Sequence, residues 1–386
     1  MGCITELGKY SNRRGCAQLR RTGFLGALLL SLICSTGVQA ATVSEFMYSA
    51  TEPIGKCLYV YGGGWNEEDT AAGIEALSYG ISPMWIEFYN NNSSLYNYKT
   101  TRYQIHNGLD CTGYVGWCMY QLFGDKYSEN GYVFPSGKMA DEYNRLFGAE
   151  ITPRGKVKKF TCGDIMTKAG HVYIVLGSCP DGSVVFMHAS PPCVSLCGTY
   201  TPDGRKGSMA VALATEYMKK YFPECYTKYP NCSRNTSYLT DYSSVSLPQS
   251  ILPDPDGYRN MDAAAILNDM FEEVKLLVDG KRVMTDDIYI IEGSTYVPLR
   301  AVSEALGARV QWEPETQNVI ISRNKTRITV RAGSSDVRVN EKEYKLPGDV
   351  FISHDRTYIP VRFIAEQLGK RVSWDGKWKK VLIVGN

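Results

Sequence analysis

Between residues 296 and 383 the chain repeats itself. Tyr296-Val297-Pro298-Leu299-Arg300 is matched by Tyr358-Ile359-Pro360-Val361-Arg362, Glu304-Ala305-Leu306-Gly307 by Glu366-Gln367-Leu368-Gly369, and Val310-Gln311-Trp312 by Val372-Ser373-Trp374, all at an offset of 62 residues. Val319-Ile320-Ile321 and Val381-Leu382-Ile383 close the two copies. A period of this length means two copies of one supersecondary unit stacked on each other. Each copy is expected to run strand, turn, strand, short amphipathic helix, glycine stop and further strands, with the Pro and the Trp serving packing and capping. The unit has no cysteine and no nucleophile constellation, so a binding or structural module is expected. His354 has Glu292 as its counterpart in the first copy and is read as a surface residue.

Upstream, a proline- and glycine-rich stretch at 251–260 predicts a linker. It separates a domain at 41–250 from the repeats at 261–386. The first 40 residues read as a signal peptide. Arg13, Arg14, Arg20 and Arg21 precede an apolar run from Phe24 to Cys34, and Val38-Gln39-Ala40 offers a cleavage site. The formal net charge of +2 gives no bulk argument for nucleic acid. Of the twelve cysteines, nine follow residue 40 and all nine precede residue 233. In an exported chain that density predicts a disulfide scaffold of at least two bridges. Cys193 with Cys197 and Cys225 with Cys232 are neighbours in sequence, though pairings with Cys57, Cys162 or Cys179 are equally allowed. Cys111 is expected to remain a free thiol.

Within 41–250, Asp110-Cys111-Thr112-Gly113 runs into an apolar, helix-compatible segment ending near Phe123. A thiol at a helix start feels the positive end of the dipole, which favours the thiolate. Gly170-His171 opens a strand, Val172 to Leu176. A turn at Pro180-Asp181-Gly182 leads to a second strand ending at His188. An antiparallel hairpin places the start of one strand beside the end of the other, so His171 and His188 meet. Cys111 is then the candidate nucleophile, His171 its base and His188 the group that orients the base. The Cys111 N–H and a tyrosine hydroxyl from the segment around Gly62-Gly63-Gly64 are candidate oxyanion donors. Residues 65–107 carry no clean register and read as an insertion or cap, with Asp69 to Leu77 as a candidate helix. No metal or cofactor site is assigned.

Residues 57–190 resemble the NlpC/P60 cysteine peptidases of bacterial cell walls. The resemblance rests on Tyr59-Val60-Tyr61-Gly62-Gly63, on Asp110-Cys111-Thr112-Gly113-Tyr114-Val115, on Gly163-Asp164 with Gly170-His171 and the strand after it, and on His188-Ala189. It implies an α+β, papain-like fold in which a helix-borne cysteine packs on an antiparallel sheet. It also implies Cys111 as nucleophile, His171 as base, His188 as orienter and Tyr59 as oxyanion donor, with Asp110 and Thr112 holding the free amine of a stem peptide. The family keeps only a few residues between the glycine pair and the nucleophile; here 47, Gly64 to Asp110, intervene. The repeats resemble the small N-terminal-type domain named from copper amine oxidases, without an oxidase site. That resemblance implies attachment or spacing at a clostridial cell surface.

The expected protein is therefore a secreted or surface peptidase of a Gram-positive bacterium, hydrolysing amide bonds in peptidoglycan stem peptides, such as D-glutamyl to diamino acid. The repeats would contact a wall polymer or a surface protein. Two other readings stay open: a non-catalytic wall-binding or structural protein, and a thiol amidase or peptidase acting on another substrate.

Overall fold

A computed structural model describes residues 41–285 and 287–385. The expected signal peptide lies outside the described residues. The described chain is mixed α+β and holds two principal apolar cores, the first drawn from residues up to Phe271 together with Trp378, the second from Leu276 to Ile383.

The first core is built on a sheet in the order β2-β1-β7-β6-β5-β4-β9-β3, with β8 beside β7. In chain order its elements are α1 (Val43–Thr51), β1 (Leu58–Tyr59), α2 (Pro83–Asn91), β2 (Gly108–Leu109), α3 (Cys111–Phe123), α4 (Met139–Phe147), β3 (Glu150–Thr152), β4 (Ile165–Lys168), β5 (His171–Ser178), β6 (Val184–Ser190), β7 (Cys193–Thr199), α5 (Met209–Tyr221), α6 (Pro223–Lys228), β8 (Ser233–Arg234), α7 (Ser237–Thr240), β9 (Ser243–Ser246) and α8 (Ala263–Phe271). Pairing is antiparallel except β1 with β2 and β7 with β8. Strands β5 and β6 are apolar at nearly every position because both faces are covered. Val172, Ile174 and Leu176 join the large core that includes α3. Tyr173, Val175 and Phe186 pack with Leu239 and Tyr242 on the other face.

Helix α3 is enclosed on nearly every side, which is why its sequence shows little amphipathicity. Tyr114, Val115, Trp117, Cys118 and Met119 are each buried, and burial of such side chains contributes roughly 1.5–3 kcal/mol apiece. Part of this enclosure comes from the segment expected to be a cap. Trp85 of α2 is fully buried and its ring meets Trp117 edge-on at 5.9 Å. Asp69 to Leu77 forms turns instead of the expected helix, pinned by an isolated bridge between Trp65 and Ala72.

Two boundaries differ from the composition-based expectation. The 251–260 stretch is packed rather than a free tether, with Leu252 and Tyr258 fully buried. Helix α8, placed by sequence with the repeats, belongs to the first core through Ile266, Leu267, Met270 and Phe271.

The disulfide scaffold is overturned. All nine described cysteines are free and buried, acting as small apolar side chains. Cys193 and Cys197 lie on one extended strand, so their Cα atoms are about 13 Å apart, beyond the roughly 7 Å limit for bridging. The Cys193 and Cys225 sulfurs stand 4.0 Å apart, unbonded.

The second core comprises β10 (Lys275–Val278), β11 (Lys281–Arg282), β12 (Tyr289–Ile291), β13 (Ser294–Pro298), α9 (Leu299–Ala305), β14 (Arg309–Glu313), β15 (Asn318–Arg323), β16 (Thr326–Arg331), β17 (Asp336–Val339), β18 (Lys342–Lys345), β19 (Phe351–Ser353), β20 (Arg356–Pro360), α10 (Val361–Gln367), β21 (Lys370–Asp375) and β22 (Lys380–Gly385). The two copies are interleaved. Val297 pairs with Ile359, its own counterpart 62 residues on, while Tyr296 pairs with Pro360 and Pro298 with Tyr358. A residue facing its own equivalent is the mark of a two-fold relation between the copies. The hairpin of the first copy, β10–β11, joins β21–β22 of the second. The corresponding hairpin of the second, β17–β18, joins β14–β15 of the first through β16. Trp312 and Trp374, expected to pack, are about half exposed at 48% and 45%.

The two cores touch. Trp378 is buried against Tyr48 at 4.9 Å and Phe271 at 5.1 Å, and its Nε1 donates to Glu52 at 3.2 Å. Arg282 reaches Asp269 at 2.7 Å and Asp256 at 3.2 Å.

Candidate functional site

The turn that presents Cys111 is built by backbone and cap. Asp110 is the N-cap of α3: its Oδ1 accepts from the Gly113 N–H at 2.7 Å and from the Thr112 hydroxyl at 2.8 Å. The Thr112 oxygen in turn accepts from Trp65 Nε1 at 3.0 Å. The glycine segment lies directly on this turn. Asp110 N–H donates to Gly63 O at 2.9 Å, and Gly62 and Gly64 adopt φ of +86° and +90°, a region open to glycine at no steric cost. Asp110 and Thr112, which the resemblance assigns to a substrate amine, are thus both engaged in shaping the turn. Asp110 is half-buried, and loss of solvent around it pushes its carboxyl up to about 6 against these donors.

The histidine expectation rests on β5 and β6. Their register sets Ile174 opposite Met187 and Val175 opposite Phe186, so His171 and His188 are diagonal neighbours on one face. His171 Nε2 and His188 Nδ1 are 3.0 Å apart. Cys111 lies near the start of the same strand, where the N–H of Val172, the residue after His171, favours its thiolate. Tyr59 is half-buried on β1, its ring edge-on to Tyr98 at 5.5 Å. Burial chiefly holds the Tyr59 and Tyr242 phenols above their ordinary values, and the charge of a Cys111 thiolate adds to this at both.

The electrostatics differ from the dipole-based expectation. Burial, followed by the charge of Asp110, pushes the Cys111 thiol up to about 12, and the N–H groups of Val172, Thr112 and Cys111 only partly offset this. Burial, with Arg234 and Lys168 nearby, holds His171 down at about 3. The same burial, with Arg234 and His171, holds His188 well below its ordinary value. At rest the thiol and both imidazoles are neutral.

Several neighbours were not evident in the sequence. Cys197 lies behind His188, with its sulfur 3.6 Å from His188 Nε2. Arg234 on β8 acts on both histidines and donates Nη1 to Ser233 O at 2.8 Å. Tyr238 and Tyr242 lie edge-on to His171 at 5.7 and 6.3 Å. Strand alternation in β7 places Ser195 and Cys197 on a common face, a signal obscured by reading Cys197 as a disulfide partner. Arg234 arrives through a two-residue strand that no periodicity marks. Beside the nucleophile turn is a cavity of about 510 Å³, lined by Gly62, Trp65, Met84, Tyr103 and His106 among others. His106 is held by Glu75 at 2.6 Å.

No curated protein matches this chain. The interleaved module is similar to a known domain: the copper amine oxidase N-terminal domain family matches residues 277–383.

Proposed function

We propose that the region built on the first core is a thiol peptidase of the NlpC/P60, papain-like kind, acting on amide bonds of peptidoglycan stem peptides. The observation that carries this reading is the contact between His171 and His188 at 3.0 Å, with Val172, the residue after His171, near enough for its N–H to favour the Cys111 thiolate. A base paired to an orienting group beside a helix-start thiol is the arrangement that acyl transfer through sulfur requires.

Because the resting groups are neutral, proton transfer and attack are coupled. His171 Nε2 is occupied by His188, so Nδ1 takes the proton from Cys111 as sulfur bonds to the carbonyl carbon. The oxyanion is met by the Cys111 N–H and the Tyr59 hydroxyl. The amine leaves with the proton from His171, and a water activated by the same nitrogen releases the acid and restores the thiol. The cavity lined by Gly62 and Trp65, next to the turn that presents Cys111, offers room for part of the substrate. The 277–383 module attaches the enzyme to a wall polymer or surface protein, at the cell surface or after secretion.

Incubating residues 41–386 with purified sacculi tests this. New amino and carboxyl ends that disappear in Cys111→Ala support it. Retention on sacculi without cleavage supports a wall-binding protein instead, and cleavage of proteins or small amides alone supports another thiol hydrolase.

A further inference from the structure

His171, His188 and Cys197 sit on three adjacent strands, β5, β6 and β7, each displaced diagonally from the last. Diagonal neighbours on one sheet face are within side-chain reach. The heavy-atom contacts form one line: His171 Nε2 to His188 Nδ1 at 3.0 Å, His188 Nε2 to Cys197 Sγ at 3.6 Å, and Cys197 Sγ to Ser195 Oγ at 3.3 Å. Cys197 and His188 are fully buried and Ser195 nearly so, so water does not supply alternative partners.

Each neutral imidazole carries one ring proton, and the line therefore has only two consistent states. If Cys197 accepts, His188 carries its proton on Nε2 and accepts at Nδ1. His171 then carries its proton on Nε2, and Nδ1 is left with a free lone pair. If Cys197 donates to His188, every proton moves one place, and His171 Nδ1 becomes an N–H that cannot act as a base. The Asn231 carbonyl, 4.0 Å from the sulfur, accepts the thiol proton away from His188, and the Ser195 hydroxyl at 3.3 Å can give or take a proton at the same sulfur. Arg234, close to Cys197 and both rings, disfavours a second proton on either imidazole.

We propose that Cys197 is a positioning residue, accepting from His188 Nε2–H and so fixing both imidazoles in the tautomers that leave His171 Nδ1 free for the Cys111 proton. This rests on the peptidase reading for the role of His171, but its structural content stands apart from it.

The test uses the 41–386 chain with ¹⁵N-labelled histidine. Long-range ¹H–¹⁵N correlation distinguishes the tautomers, and the four histidines are assigned by single substitution. The expected wild-type result is Nε2–H on both His171 and His188. Cys197→Ala is expected to bring Nδ1–H character to His188 and to slow iodoacetamide labelling of Cys111 about tenfold, while Cys197→Ser, with an accepting oxygen, stays within about twofold of wild type. Nδ1–H on His188 in the wild type overturns the proposal. So does a Cys197→Ala protein with unchanged tautomers and an unchanged Cys111 rate. If the tautomers are as expected but Cys111 labels no faster than buried Cys118, the peptidase reading falls while the tautomer assignment holds.

Discussion

Gly113→Ala is the substitution on which local and tertiary physics disagree most sharply. Gly113 lies in the first turn of α3, where alanine is favoured by about 1 kcal/mol on helix propensity alone. In the fold, however, a Cβ at Gly113 would stand 2.1 Å from Gly63 O, 2.9 Å from Gly64 Cα and 3.0 Å from Gly63 C. All three atoms are backbone, so no rotamer change relieves them. Ordinary contact begins near 3.4 Å, so the glycine segment and the helix start must separate by about 1 Å. Overpacking of this kind costs roughly 1–3 kcal/mol; with backbone atoms as close as 2.1 Å the upper end applies, and the propensity gain offsets only about 1 kcal/mol of it, for a net loss of up to about 2 kcal/mol. The separation acts directly on the turn that presents Cys111, and a misplacement near 1 Å costs about a hundredfold in rate. Thermal unfolding and the rate of Cys111 labelling or turnover measure the two effects. Gly207→Ala is the control, since a Cβ there meets nothing within 4 Å. A Gly113→Ala protein with the wild-type midpoint and wild-type Cys111 reactivity would refute the reasoning. Gly63→Ala, with its Cβ 2.3 Å from Gly108 O, is expected to behave alike.

Acid should destabilise the fold through the histidines. His171 is held at about 3 against its ordinary 6.5, so its contribution is complete above the unfolded value and is lost as pH falls, by on the order of 5 kcal/mol at the lower value. Asp110, raised from 3.8 to about 6, acts oppositely between those values, and His188, depressed like His171, leaves the net trend downward. A denaturant midpoint that is flat or rises between pH 7 and pH 4 would contradict this. His188→Asn should reduce turnover less than His171→Ala, because an amide still accepts from His171 Nε2–H, and equal losses in kcat would remove the orienting role. Trp378→Ala, which empties the contact with Tyr48 and Phe271, should cost about 3–5 kcal/mol and lower the melting of the first core together with the second. Two separate transitions, with only the second shifted, would show the cores to be uncoupled.

The features carried by local chemistry were readable in the sequence. Asp110-Cys111 marks a helix start because a capping carboxylate precedes an apolar run. The hairpin bounded by His171 and His188 follows from two β-rich segments around Pro180-Asp181-Gly182. What escaped was set by long-range packing. Pro83–Asn91 folds as a helix because Trp85 finds Trp117, a contact 32 residues away. Burial raises the Cys111 thiol where its place at a helix start suggested a favoured thiolate. The 62-residue period shows that the copies are equivalent, but it does not say which copy supplies a hairpin's partner. The cysteines mislead because a buried thiol and a bridging one have the same letter.

The exchange of hairpins between the copies sets an order of events during synthesis. Lys275 of β10 pairs with Lys380 of β22, 105 residues later. A ribosome has therefore made nearly the whole module before β10 finds the strand it lies against, and until then its edge and the side chains of Leu276 and Val278 remain uncovered. Such distant parallel pairing is slow and prone to wrong association. The module closes in one late step, and a chain interrupted before β22 keeps an open strand edge of the sort that recruits other chains.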